Sequence, residues 1–217
     1  VGDVWQDVDL ADQFIVSATP TIPTGVFADD AVDDTIRIAP SGANVEVTVN
    51  GNVVVRKPAS ELASLTVTGS GDDDTLVIDL GGFAAGVTLG RPVTFDGGGE
   101  VGTDWDTLEI TNGSATSITH DFSNASDGTI DIDGNVITYT GLEPISDNLS
   151  AVDRIFSFGA TPDEITVSDN GIAGDGISRI SSTSSSETVD FANPSGSLTI
   201  NAGDGDDTIT ILSLDSL

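Results

Sequence analysis

Apolar residues along this chain recur at every second position. Ile36 and Ile38, Val45, Val47 and Val49, Val53 and Val55, Leu65 and Val67, Leu76 and Ile78, Val87 and Leu89, Val93 and Phe95, Leu198 and Ile200, and Ile209 and Ile211 all keep this spacing. A period of two is that of a strand with one buried face, and no segment sustains a helical period. Asn50-Gly51 separates two such runs and predicts a hairpin with a type I′ turn. Ile130 to Thr138 (IDIDGNVIT) aligns without a gap on Val47 to Val55 (VTVNGNVVV), which predicts a second hairpin and an internal duplication. The chain is expected to be all-β.

A longer unit is repeated around the turns. Ser197 to Leu212 (SLTINAGDGDDTITIL) reads strand, Gly/Asp turn, strand, and Leu65 to Asp79 (LTVTGSGDDDTLVID) reads the same way. Looser copies end in Asp33-Asp34-Thr35-Ile36, Asp106-Thr107-Leu108 and Asp163-Glu164-Ile165. Recurrent short strands with matching turns predict a right-handed parallel β-helix, or β-solenoid, in which each coil buries a few aliphatic side chains on the next. Tandem β-sandwich domains are the alternative. Residues 1–25, with Pro20 and Pro23, read as an N-terminal cap or linker, and residues 26–217 as the solenoid, in approximate units 26–105 and 106–217. Gly97-Gly98-Gly99 marks a wide corner, and Ser181 to Ser186 reads as a loop between coils.

Charge sharpens this picture. The 217 residues carry 36 acids against 6 bases, a formal net charge of −30, and such self-repulsion opposes compaction unless cations neutralise it. The acids are mostly aspartates beside glycine, which suits turns and short-armed oxygen ligation. The candidate calcium ligands are Asp204, Asp206 and Asp207, then Asp72, Asp73 and Asp74, then Asp104 and Asp106. Asp-Gly runs also turn well without an ion, and a salt-adapted surface would be equally acidic. The charge excludes nucleic acid as a partner. There is no cysteine, hence neither disulfide nor thiolate site. No apolar stretch is long enough for a membrane helix, and no signal peptide is visible at Val1. The missing initiator methionine suggests a mature form, a fragment or part of a larger chain.

Catalytic patterns are sparse, and the chain is expected not to be an enzyme. His120 is the only histidine; it and Asp121 point to opposite faces of a strand, so it reads as a plain surface residue. Arg91, Arg154, or Arg56 with Lys57 could be nominated as the base of a lyase, but none lies in a recognisable cluster. Trp105 reads as a packed or stacking loop aromatic; exposed, it would favour carbohydrate contact.

Ala202 to Thr210 (AGDGDDTIT) resembles the calcium-binding nonapeptide Gly-Gly-x-Gly-x-Asp-x-apolar-x of RTX proteins, with alanine at its first position. Gly69 to Leu76 is similar, with one extra residue. Residues 106–217, with Thr140-Gly141-Leu142-Glu143-Pro144-Ile145 and Phe191-Ala192-Asn193-Pro194, also look like repeat modules of very large secreted bacterial surface proteins. The motifs here are single and far apart, so the resemblance implies calcium at isolated corners rather than a continuous β-roll. Together with the acidity, it implies a calcium-stabilised structural or adhesive module of a secreted, cell-surface or extracellular-matrix protein. Such a module stacks on adjacent repeats or on itself in a filament or lattice, and glycan is a further possible partner. The alternative is a carbohydrate-active β-helix protein, lyase-like or glycan-binding.

Overall fold

A computed structural model of the chain describes residues 33–82, 90–98, 105–184 and 188–215. The expected cap at 1–25, the Val87/Leu89 alternation and Asp104 lie outside them. Among the described residues there are seventeen strands, one 3-10 turn at Ala59–Glu61 and no α-helix. The strands are β1 (Asp34–Ser41), β2 (Asn44–Val49), β3 (Asn52–Pro58), β4 (Leu65–Thr68), β5 (Asp74–Asp79), β6 (Val93–Asp96), β7 (Thr107–Thr111), β8 (Ser114–Phe122) and β9 (Gly128–Ile132). They continue with β10 (Asn135–Thr140), β11 (Ile145–Asp147), β12 (Ser150–Ser157), β13 (Glu164–Asp169), β14 (Ile177–Ser182), β15 (Val189–Ala192), β16 (Ser197–Asn201) and β17 (Thr208–Ile211).

They form two sheets. The ten-stranded sheet has the order β17-β13-β14-β15-β11-β7-β5-β1-β2-β3, and the seven-stranded sheet β16-β12-β8-β9-β10-β6-β4. The chain passes back and forth between them, and returning strands stack in parallel on earlier ones: β1, β5, β7, β11 and β15 in one sheet, and β8, β12 and β16 in the other. This is a β-solenoid, with one continuous pair of sheets rather than tandem sandwiches.

Antiparallel excursions interrupt the parallel stack. β1-β2-β3, β8-β9-β10 and β13-β14-β15 each fold back within a sheet. Both predicted hairpins are present. Asn50 and Gly51 have φ of 49° and 79°, and Asp133 and Gly134 have 50° and 87°, the left-handed pair that a type I′ turn requires. The serine run was expected to join coils, but β14 ends at Ser182 and pairs antiparallel with β15. It therefore connects neighbours in one sheet, a link that needs far fewer residues than a parallel crossover.

Alternation fills the space between the sheets. Ile36, Leu76, Leu108, Ile145 and Val189 occupy equivalent positions on adjacent strands, and all are buried. Each such side chain contributes about 1.5–3 kcal/mol relative to exposure. Tyr139, Phe95, Phe156 and Phe191 supply the bulk, and Phe156 and Phe191 meet across the sheets at 5.0 Å.

Candidate functional site

Two groups of ionisable residues stand out, one at the corners and one in the core. Where the chain enters the ten-stranded sheet, five strands carry an aspartate at or just before their start, Asp34 (β1), Asp74 (β5), Asp106 (β7), Asp163 (β13) and Asp207 (β17), whereas β11 is preceded by Glu143-Pro144. Parallel pairing stacks them, Asp34 opposite Asp74 and Thr75 opposite Thr107. Their carboxylates tie successive coils. Asp74 N–H donates to Asp106 Oδ1 at 2.8 Å, Trp105 N–H to Asp73 Oδ1 at 2.8 Å, and Asp163 N–H to Asp207 Oδ1 at 2.9 Å. A turn leaves backbone donors without ladder partners, and burial makes it costly to leave them so; the short aspartate arm of the adjacent coil satisfies them, the following coil for Asp74 and Asp163 and the preceding one for Trp105.

Backbone approaches backbone at these corners. A Cβ on Gly69 would lie 2.0 Å from Gly97 O, and one on Gly203 only 1.8 Å from Gly159 O. Gly203 also has φ of +87°, so glycine is required there on both counts.

The ladder leaves acceptor capacity over. Asp74 is fully buried; one of its oxygens accepts from the Ser70 N–H and hydroxyl, while Oδ1 has no hydrogen-bond partner. Burial pushes its carboxyl above the usual range against the Ser70 hydrogen bonds, and nearby Asp34 and Asp72 push the same way. Asp163 repeats the arrangement: Oδ1 accepts from Ser182 and Ser184, and the buried Oδ2 has no partner.

Of the residues expected to ligate calcium, Asp72, Asp73, Asp74 and Asp106 gather around the β4–β5 and β6–β7 corners. Asp204, Asp206 and Asp207 stand apart on the β16–β17 corner, with Asp204 and Asp206 exposed. Among the described residues no group of three or more His, Asp or Glu side chains converges as a metal site.

The second group was not anticipated. His120 (β8), Asp147 (β11) and Arg154 (β12) are each 0% exposed. Asp147 Oδ2 accepts from Arg154 Nη1 and lies 3.0 Å from His120 Nε2, and its Oδ1 takes the Leu149 N–H at 3.1 Å. Arg154 also donates from Nε to Ala192 O at 2.8 Å and from Nη2 to Leu149 O, and it lies over the Phe191 ring. His120 stacks on Phe156 at 4.9 Å, and its Nδ1 is buried without a partner. Burial alone would raise the Asp147 carboxyl, but Arg154 and His120 outweigh it and hold it at about 2. Burial pushes the His120 imidazole down against the pull of Asp147, favouring the neutral ring.

His120 is therefore a core residue and not a surface one, because its parity on β8 matches buried Ile118 and Phe122. Asp121 points the other way, as expected. Arg154 belongs to a cluster after all, one closed to any polymer. The signal in the sequence was parity, since His120 alternates with Ile118 and Phe122 and Arg154 with Phe156; in the fold Asp147 continues the inward column Ile38, Ile78 and Ile110, and Arg154 pairs with Ile118 and Leu198. Of the other nominated bases, Arg56 is paired with Glu46, and Arg91 Nε donates to Ala59 O. Trp105 is 54% exposed.

No family model matches this chain, and neither a curated protein nor a solved structure matches it. No helix among the described residues is long and apolar enough to cross a membrane.

Proposed function

We propose that the protein is a structural and adhesive module of a secreted bacterial surface or extracellular-matrix protein, stiffened by calcium at its acidic corners. The observation that carries this reading is the pair of corner stacks, Asp34, Asp74 and Asp106 in one and Asp163 with Asp207 in the other, in which the buried Asp74 Oδ1 and Asp163 Oδ2 remain unpartnered. Stacked carboxylates in a poorly solvated turn repel one another, and a cation or a proton relieves them. Calcium takes six to eight oxygens. Asp74 Oδ1 offers an oxygen of the right kind, Asp34 and Asp72 add negative charge nearby without converging on it, and water would supply most of the shell. The resemblance of Ala202 to Thr210 to RTX motifs supports the same ion.

Thermal unfolding followed by circular dichroism tests this. A calcium-specific rise in Tm over sodium at matched ionic strength is expected; an equal rise in sodium refutes the calcium-locked corners and leaves a salt-adapted scaffold. One observation favours a second reading, a glycan-binding face: the exposed indole of Trp105. Quenching or shift of tryptophan fluorescence by soluble polysaccharide, lost in Trp105→Ala, would support it; no change with neutral or acidic polysaccharides would remove it.

A further inference from the structure

The buried triad ties three successive coils together. His120 on β8 and Arg154 on β12 belong to the seven-stranded sheet, and Asp147 on β11 to the ten-stranded one. Only Asn148 and Leu149 separate β11 from β12, and the corner they make is folded around the guanidinium. Leu149 N–H donates to Asp147 Oδ1 at 3.1 Å, and Leu149 O accepts from Arg154 Nη2. Asp147 reaches back to His120 in the preceding coil, and Arg154 Nε reaches forward to Ala192 O, at the end of β15 in the following one.

The apolar residues around the triad leave a freedom that it removes. A slip of one residue turns an inward face outward, but a slip of two along the coil keeps every inward side chain inward. The connections on either side, 141–144 and 158–163, lie outside the strands and would take up the two residues. Advancing the β11–β12 coil by two sets Ile145 level with Ile110 instead of Leu108, and Phe156 level with Phe122 instead of His120. Both exchanges put one apolar side chain against another of similar kind. The same slip carries Asp147 into the corner while Arg154 moves away from it, because β11 runs toward the corner and β12 away. The ion pair then comes apart, with the guanidinium still inside the core.

We propose that the triad is a register key, which fixes the residues of the β11–β12 coil that face β7 and β8 and contributes uniqueness of stacking more than net stability. A buried ion pair commonly stabilises no more than apolar residues of similar volume, whereas one partner left alone is strongly unfavourable, which disfavours the slipped coil about 100-fold or more. Coils stacked on a slipped one inherit its offset, so the key sits in the middle of the stack to the benefit of both halves. The role is independent of calcium and of whatever the module binds.

The chain has no cysteine, so introduced pairs report register directly. Thr119 on β8 lies opposite Ile155 on β12, and both alternate with buried neighbours. Opposed Cα atoms are about 4.8 Å apart, within disulfide reach, whereas Thr119 lies about 8 Å from Asp153 and from Ser157, beyond it. In the parent chain Thr119→Cys with Ile155→Cys should oxidise readily, and T119C with D153C or S157C should not. In the His120→Phe, Asp147→Leu, Arg154→Met background the urea midpoint should stay near the parent's, while the initial rate of one slipped bridge rises about 10-fold or more. His120→Phe alone keeps the ion pair and should keep the single register. A folded triple variant that forms only the T119C–I155C bridge, a triple variant that does not fold, or a slipped bridge in H120F or in the parent chain would overturn the proposal.

Discussion

Replacing Asp147 by asparagine keeps the shape of the side chain and removes its charge. In the folded protein the carboxylate faces the Arg154 guanidinium and the His120 ring with no access to water. The Arg154 guanidinium and the His120 ring hold its carboxyl below the ordinary 3.8, at about 2, a preference for the ionised form on the order of 2 kcal/mol. The variant also leaves the guanidinium charge buried without a counter-ion, and breaking a buried pair from one side costs about 3–5 kcal/mol. We therefore expect Asp147→Asn to lose about 3–5 kcal/mol in urea unfolding at pH 7.5, out of a total of about 5–15 kcal/mol typical of folded proteins. Arg154→Met loses less, because the uncompensated partner is then a carboxylate that can take up a proton. Asp147→Leu combined with Arg154→Met recovers most of the loss, since the neighbouring rungs at these positions are Ile110 and Phe191, and Ile118 and Leu198. A loss under about 1 kcal/mol in Asp147→Asn, or strictly additive losses in the double variant, would refute the triad as a coupled unit.

The remaining predictions concern pH and the corners. Both His120 and Asp147 have folded values below their unfolded ones, so each contributes stability at high pH that acid removes. Stability should begin to fall as pH drops below about 6.5, where unfolded His120 gains a proton the folded state resists, and fall again from about 3.8 toward 2 as Asp147 protonates. His120→Phe should abolish the upper leg and shrink the lower one, because His120 is among the groups that hold Asp147 down; an unchanged profile between pH 7 and 5 would contradict it. Asp106→Ala removes the acceptor of the Asp74 N–H and should cost about 1–3 kcal/mol; a neutral effect in urea unfolding would deny the corner tie. Asp74→Asn relieves a carboxyl that burial and its acidic neighbours disfavour. Without calcium it should leave stability unchanged or raise it, whereas a clear loss there would mean that the ionised carboxylate is already satisfied. Gly203→Ala should lower Tm by several degrees, since alanine meets both a positive φ and the Gly159 carbonyl; an unchanged melt would show that the corner can yield.

Much of the fold could be read from alternation alone, because in a sheet with one buried face parity decides burial. Both type I′ turns were legible for the same reason, since Asn-Gly and Asp-Gly supply the left-handed pair such turns require. The antiparallel excursions were not, because a period of two says which face a residue occupies and nothing about its neighbouring strand. The triad was missed although its parts were in view. His120 alternates with Ile118 and Phe122, and Arg154 with Phe156, so both sit on inward faces. Only register across 27 and 34 residues of chain brings Asp147 and Arg154 to His120. The corner aspartates were conspicuous as a motif, but their use as acceptors for the previous coil's N–H depends on pairing between coils 32 and 44 residues apart.

The claim that the acidic corners hold a cation is tested most directly by calorimetric titration of calcium into the folded chain and into the Asp74→Asn, Asp163→Asn double variant. Saturable binding in the native chain that is lost or strongly weakened in the double variant, with circular dichroism unchanged, is the predicted result. No saturable heat, or identical binding by both proteins, would mean that the two unpartnered carboxylate oxygens are not where calcium acts.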